Sequence, residues 1–590
     1  MRGFLGSSSH KTPLFRPRNG WACQACRAGI ARASEAQYAA PMRFSTYSAL
    51  RQTQQVEKPY YVTTPIFYVN SSPHIGHLYS MLIADVLKRW QLLAERPAIM
   101  STGTDEHGLK VQRAAVRQDL HPKALCDATS ETFRDLAREA NISNDAFIRT
   151  TDPEHRDAVE YFWERLKDTG YVYESKHEGW YCVSDETFYP ESMIEKRVSR
   201  STGKPFLACT ETGNAVEWTV EKNYHFRLTA FRDRLLSFYK ENPGWVVPAT
   251  RYNEVIDWVQ NHLEDLSISR PASRLEWGIP VPDDPSQTIY VWLDALVNYL
   301  TVAGYPNLAP GSEHTLGWPA DVHVVGKDII RFHCVYWPAF LLALNLPLPS
   351  RVLSHGHWLM SRKKMSKSIG NVVNPFFALD RWGVDVLRYF LLYNGHVTND
   401  TDYNNSLIVE RYKKGLQSGI GNLLSRVTKP KTWNVRNAVL AMKDSEANAA
   451  VLLPVVEVQK EVLQGVTGRV EEQMKALDPG GALREVIDCN FTTNRFFQEA
   501  EPWARAKEGD LIAVNQIIYH AAESLRISGI LLQPFMPEKA AQLLDQLGVA
   551  VERRTLKYAQ VGADLDYGTS LVEVGLGPGA GLFPPLAVED

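Results

Sequence analysis

Residues 60–90 read YYVTTPIFYVNSSPHIGHLYSMLIADVLKRW, and this stretch decides the fold. Tyr60 to Val69 are β-branched and aromatic, which predicts a buried strand. Asn70-Ser71-Ser72-Pro73 then breaks the run with turn chemistry, and apolar residues at Leu78, Met81, Leu82, Val86 and Trp90 follow at helical spacing. A buried strand, a tight turn and a helix start make the first βα unit of a doubly wound sheet. Ligands of such sheets sit outside the carboxyl ends of the strands, where free N–H groups of the incoming helix favour an anion. His74-Ile75-Gly76-His77 occupies that place, and its glycine lets another group approach the backbone closely. The arrangement suits a polyphosphate.

Taken alone, two histidines three apart equally fit ordinary helix-start residues or a metal pair. A second stretch changes the weighing: residues 362–371 read RKKMSKSIGN. PHIGH after an N-terminal strand, joined with KMSKS, resembles the class I aminoacyl-tRNA synthetases. TGTDEHG (102–108), YVWLDALVNY (290–299), VGKDIIRFH (325–333) and GNLLSR (421–426) are similar to the methionyl-tRNA synthetase family, and the resemblance runs over residues 58–585.

Composition bounds the rest. A chain of 590 residues is too long for one core and predicts three or four domains of ~100–200 residues. The apolar share of 44% and charged share of 22% are those of a soluble globular enzyme. No apolar run reaches the ~18–20 residues that cross a bilayer, so no membrane role is expected. Residues 1–56 hold eight Lys/Arg against the single acid Glu35, which leaves 56 basic and 66 acidic residues in the remainder. So acidic a body cannot bind nucleic acid by bulk charge and needs local basic patches. The Arg-, Ser- and Ala-rich leader is that of a mitochondrial transit peptide, which places the enzyme in the mitochondrial matrix. Cys23 and Cys26 fall in this leader, the other cysteines are scattered singly, and nothing calls for a disulfide.

The family resemblance implies an α/β fold. A class I Rossmann-type catalytic domain in two halves (57–172 and 263–350) is interrupted by a connective insertion (173–262). A KMSKS loop and stem-contact region (351–400), an all-α anticodon-binding bundle (401–560) and a C-terminal segment (561–590) follow, with no appended domain, in a monomer. It implies catalytic roles for His74, His77, Lys364 and Lys367. ATP binding then falls to these with Pro73, Gly76, Gly326, Asp328, Met365, Ser366 and Ser368. Methionine would be held by Asp105 through its α-ammonium and by Ile66, Tyr68, Trp292, Ala295, Tyr299, Ile329 and His333. The last group reads as plain core too, because a thioether pocket is itself apolar interior lined by aromatics. Asn422, Arg426 and Trp503 would read the anticodon, the tryptophan stacking a base and the other two bonding base edges. Expected partners are L-methionine, ATP with Mg²⁺, and tRNA(Met).

Many relatives hold structural zinc in the insertion with two thiol pairs. Here Asp185 stands where the second cysteine of Cys182's pair would be, and the rest of the insertion offers only Cys209. Two thiols and a carboxylate make a poor tetrahedral structural site, so no zinc is expected. An insertion of ~90 residues is also too small for a separate hydrolytic editing domain, which runs to domain size.

Overall fold

The structure, a computed structural model, describes residues 58–199, 203–307, 316–365, 371–443, 452–572 and 581–586, with the side chains of His177 and Lys364 left aside. The leader reading of residues 1–56 falls outside them.

A seven-stranded sheet forms the centre: β1 (Tyr60–Thr63), β2 (Phe67–Tyr68), β3 (Ala98–Asp105), β4 (Ala146–Arg149), β5 (Val246–Val247), β6 (Val322–Gly326) and β7 (Val352–His355). Every pairing in it is parallel, in the spatial order β5-β7-β6-β1-β3-β4, with β2 continuing along β3 beyond β1. Without the edge strand β5 and the short β2 the remaining five strands run in the doubly wound order 3-2-1-4-5, whose direction reverses between β1 and β6. That switch point lies where Val62 pairs Val322 and Thr63 pairs His323, and in doubly wound sheets ligands bind outside the strand ends at such a point.

Three local findings depart from the sequence reading. The run from Tyr60 to Val69 is two strands, because Pro65 has no N–H to give the ladder and the chain leaves it there. Strand β3 continues through Gly103-Thr104-Asp105, although glycine and acids at a strand end commonly form turns. Gly103 serves close strand packing instead, since a Cβ there would lie 2.0 Å from the carbonyl oxygen of Ile148. Val246 and Val247, within the expected insertion, pair with Val352 and Leu353 at the edge of the central sheet, whereas Leu266 and Ser267 pair with Phe226 and His225 of the insertion.

The insertion is built on a long antiparallel ladder, Val172–Cys182 against Glu217–Phe226, with a two-stranded hairpin, Ile194–Val198 and Pro205–Cys209, beyond it. From Asn405 onward the described chain is helical. The helices used below are α1 (Ile75–Leu93) after β1, α2 (Val291–Val302) before β6, α3 (Asn422–Thr428), α4 (Pro479–Ala500), α5 (Pro502–Glu508) and α6 (Leu511–Leu532). Helix α6 is buried on nearly all sides and packs against α3, α4 and α5, so it is the core of the bundle. One continuous apolar cluster runs from β1 and α1 through residues 384–394 into α6 and ends at Leu582 and Phe583. Tyr412 donates to the Pro584 carbonyl at 2.6 Å, fixing this last segment on the bundle.

Candidate active site

The start of α1 is closed by its own histidines. The backbone N–H of Gly76 donates to His74 Nδ1 and that of His74 to His77 Nδ1, each at 3.1 Å, a capping box built from two imidazoles. The rings stack at 3.8 Å between centroids. Because both Nδ1 atoms accept, each neutral ring carries its proton on Nε2. Two parallel N–H donors result, and both Nδ1 lone pairs that a metal would need are occupied.

This corrects two expectations. The first-turn N–H groups are not free for an anion, because Ile75 N donates to the Val373 carbonyl and His77 N to that of His74. The group that approaches Gly76 closely is the His74 ring itself, whose Cε1 would lie 2.9 Å from an added Cβ. Pro73 is buried just ahead of this cap.

Across the switch point, β6 ends at Gly326. A Cβ there would meet the Asp328 carboxylate at 2.9 Å, so the glycine lets Asp328 fold back over the strand end. His357 Nε2 lies 3.3 Å from Asp328 Oδ1, and the His357 N–H donates to Asp400, which Lys327 also grips. His355, at the end of β7, is buried and accepts from Ser80 of α1 at 2.8 Å through Nε2; burial brings its pKa down to about 4, so it is neutral. Residues 363 and 364 form the return strand of a hairpin with Leu359 and Met360, and Met365 packs onto the core beyond it. Ser366, Lys367 and Ser368 lie outside the described residues.

Between β2, α2 and the turn after β6 lies a cluster of packed aromatic side chains. Trp292 stacks on Phe332 at 3.6 Å and meets Tyr68 edge-on at 6.2 Å. Tyr299, two turns along α2, donates its hydroxyl to His333 Nε2 at 2.7 Å, while His333 Nδ1 donates to the Ile329 carbonyl. Burial lowers the His333 pKa to about 4, so that ring is a neutral part of the cluster. It sits in a five-residue π-helical segment, Phe332–Tyr336, a distortion frequent at functional sites. Ala295 is buried one turn after Trp292, and Ile66 is half-buried in the break between β1 and β2.

At the end of β3, Asp105 is 2% exposed. Its Oδ1 has no hydrogen-bond partner among the described residues, and neither do the buried Tyr68 hydroxyl and Trp292 Nε1 of the aromatic cluster. Burial, then repulsion from Asp294 and Glu186, drives the Asp105 carboxyl well above the usual range, against partial relief from Lys110. A buried carboxylate in that condition calls for a cation.

Several supporting residues went unread in the sequence. Lys110 lies 4.3 Å over the Tyr68 ring, and Glu186 of the insertion accepts from the Lys110 backbone N–H, capping a helix that Gly108 leaves uncapped. Asp294, inside the aromatic stripe of α2, accepts from His107 at 2.7 Å and His155 at 2.8 Å. Burial pushes its carboxyl up, but those two imidazoles outweigh this and hold it low. A charged residue in the middle of an apolar stripe was the available signal.

In the insertion, Asp185 accepts from Thr212, Asn214 and Tyr189 and lies 3.5 Å from Cys209 Sγ. The Cys182 thiol shares its proton with Cys209, raising its own pKa and holding that of Cys209 at about 6. Both carboxylate oxygens are committed to protein donors, so these residues do not fit a structural zinc. On the bundle, the Arg426 guanidinium lies 4.7 Å from Phe497 and 5.6 Å from Trp503, and Arg426 donates to Gln498 at 3.2 Å. Asn422 is exposed one turn earlier on α3, so the structure gathers the three expected residues on one face.

A parallel sheet with paired imidazoles at its switch point, an aromatic cluster beside a buried carboxylate with one oxygen unpartnered among the described residues, and a helical bundle are the features of a class I aminoacyl-tRNA synthetase. Residues 60–428 match the family model described as tRNA synthetases class I (M), and residues 456–574 match the anticodon binding domain of methionyl tRNA ligase. A probable mitochondrial methionine–tRNA ligase of Neurospora crassa is 53% identical over 97% of this chain and 92% of its own length. The mitochondrial methionine–tRNA ligase of Homo sapiens is 43% identical over 90% of this chain and 91% of its own. Among solved structures, Mycobacterium tuberculosis methionyl-tRNA synthetase in complex with methionyl-adenylate superposes with a TM-score of 0.79 at 38% identity, covering 90% of this chain and 100% of that one. The chain belongs to the methionyl-tRNA synthetase family.

Proposed function

We propose that the chain activates L-methionine with ATP and transfers the methionyl group to the 3′ end of tRNA(Met), in the mitochondrion. One observation carries the reading: a buried carboxylate oxygen of Asp105 with no partner among the described residues, at the edge of an aromatic cluster. Asp105 accepts the α-ammonium as a charge-assisted bond. Ile66, Tyr68, Trp292, Ala295, Tyr299, Ile329 and His333 enclose the thioether side chain. The methionine carboxylate then attacks the α-phosphorus of ATP, the bond to the bridging oxygen breaks, and pyrophosphate leaves. His74 and His77 donate from Nε2 to phosphate oxygens as charge spreads over them, and the ammonium groups of Lys364 and Lys367 add positive charge there. Pro73, Gly76, Gly326, Asp328, Met365, Ser366 and Ser368 shape the nucleotide's surroundings. Mg²⁺ enters with ATP, held by phosphate oxygens and water.

In the second step the terminal ribose hydroxyl of the tRNA attacks the activated carbonyl and AMP departs. Asn422, Arg426 and Trp503 select the tRNA at its anticodon. The enzyme acts as a monomer in the matrix and holds no structural zinc. Aminoacylation of mitochondrial tRNA transcripts tests the reading: methionine should be esterified to tRNA(Met) alone. Charging of a different tRNA, or of tRNA(Met) with another amino acid in preference, would overturn it.

A further inference from the structure

Arg388 lies in the helix Val384–Asn394 between the two domains, is almost wholly buried, and uses all five of its N–H donors. Nε donates to the Phe535 carbonyl at 3.0 Å and Nη2 to that of Pro534 at 2.9 Å, both just beyond the end of α6. Nη1 donates to the Ala140 and Asn141 carbonyls, each at 3.2 Å, at the end of the helix Pro122–Glu139 of the catalytic domain. Nη2 also meets Asp85 of α1 at 2.6 Å. One guanidinium therefore joins the terminal carbonyls of two helices from different domains to the helix that His74 and His77 cap. A cation suits both helix ends, where the dipoles leave partial negative charge.

Asp85 closes the network. Its Oδ2 also accepts from Arg89 and its Oδ1 from the backbone and side chain of Ser143, while Arg89 reaches Asn141. Around this node the interface is the continuous apolar cluster described above, which already supplies adhesion between the domains. Apolar contact resists separation but tolerates sliding and rotation. A planar fork on four fixed carbonyls tolerates neither. Arg388 therefore supplies orientation where the apolar cluster supplies attachment. Helix α6 in turn packs on α3 and α5, which carry Asn422, Arg426 and Trp503. The angle fixed at Arg388 thus sets where those residues lie relative to the pocket at β1.

We propose that Arg388 is a positioning residue for the transfer step. It fixes the angle between bundle and catalytic domain so that a tRNA held by its anticodon delivers its 3′ end to the adenylate. The inference rests on the tRNA-charging reading above, which methionine-dependent ATP–pyrophosphate exchange and charging by the unaltered protein test separately.

Arg388→Lys keeps the charge beside Asp85 but cannot hold four carbonyls on two helix ends. In this variant, exchange should stay within about twofold of the parent, the scatter expected of sites that do not couple. Single-turnover transfer from preformed adenylate to tRNA(Met) should fall about tenfold or more, as misplacement of a reacting group predicts. A residue that merely held the core together would lower both rates alike and bring the melting temperature down with them. If Arg388→Lys does not accumulate as folded protein, Asp85→Asn loosens the same joint, with the same direction expected. Transfer that falls no further than exchange, or that is unchanged in a folded variant, overturns the proposal.

Discussion

Replacing Asp105 by asparagine keeps the shape of the side chain and removes its charge, and the structure predicts opposite effects on binding and stability. In the free protein the carboxyl is driven well above its ordinary range by burial first, then by Asp294 and Glu186. A group whose folded pKa is raised contributes stability that is full below its unfolded pKa and is lost as pH rises through the folded value. At neutral pH, therefore, Asp105 opposes folding, and Asp105→Asn should melt higher than the parent without ligand. That difference should close toward acid pH, where both side chains are neutral. For methionine the sign reverses. Loss of one hydrogen bond to a charged partner costs about 1.5–3 kcal/mol, so KM for methionine in ATP–pyrophosphate exchange should rise roughly 10- to 150-fold, with KM for ATP unmoved. Methionine should raise the melting temperature of the parent and leave that of the variant where it was. A variant that melts lower at neutral pH, or that keeps its methionine KM, refutes the assignment of Asp105.

Three further outcomes follow from particular contacts. Gly76→Ala places a Cβ 2.9 Å from His74 Cε1 and swings the Nε2 donor away, so kcat for exchange should drop about 100-fold or more; an unchanged kcat would mean that the His74 donor does not act on the phosphates. Trp503→Ala removes a stacking surface worth about 1–3 kcal/mol, so aminoacylation should fall by about one to two orders of magnitude with exchange near normal. Equal loss in both assays would leave Trp503 as core packing beside Phe497. Elemental analysis of untagged protein should find substoichiometric zinc, because Asp185 is committed to Thr212, Asn214 and Tyr189; one tightly held zinc per chain would contradict this.

The catalytic centre was legible in the sequence where local patterning and chemistry coincide. HIGH at the end of an aromatic strand stands out by its local pattern, whereas Asp105 and the aromatics along α2 read locally as turn former and core and gained their roles only through the family resemblance. The fate of the α1 N–H groups was not legible, because it depends on two ring rotamers and on Val373, about 300 residues away. Val246–Val247 is two residues long and is a strand only because Val352 and Leu353 pair with it. Gly103 carries no mark that separates a turn from close packing against Ile148. Arg388 and Asp85 carry no motif that marks them, and both are buried. The clue lay in Asp85 standing between Ile83-Ala84 and Val86-Leu87, where no solvent face exists.

The central claim is that the pocket beside Asp105 and the imidazole pair of α1 together form methionyl-adenylate. Purified protein incubated with ATP, Mg²⁺, pyrophosphatase and an equimolar mixture of the twenty amino acids, then passed rapidly through gel filtration, should retain an adenylate that mass spectrometry can identify. The account predicts methionyl-adenylate, approaching one per chain, and much less on Asp105→Asn at a methionine concentration near the parent's KM. Retention of a different aminoacyl-adenylate, or of methionyl-adenylate undiminished on that variant, would contradict it.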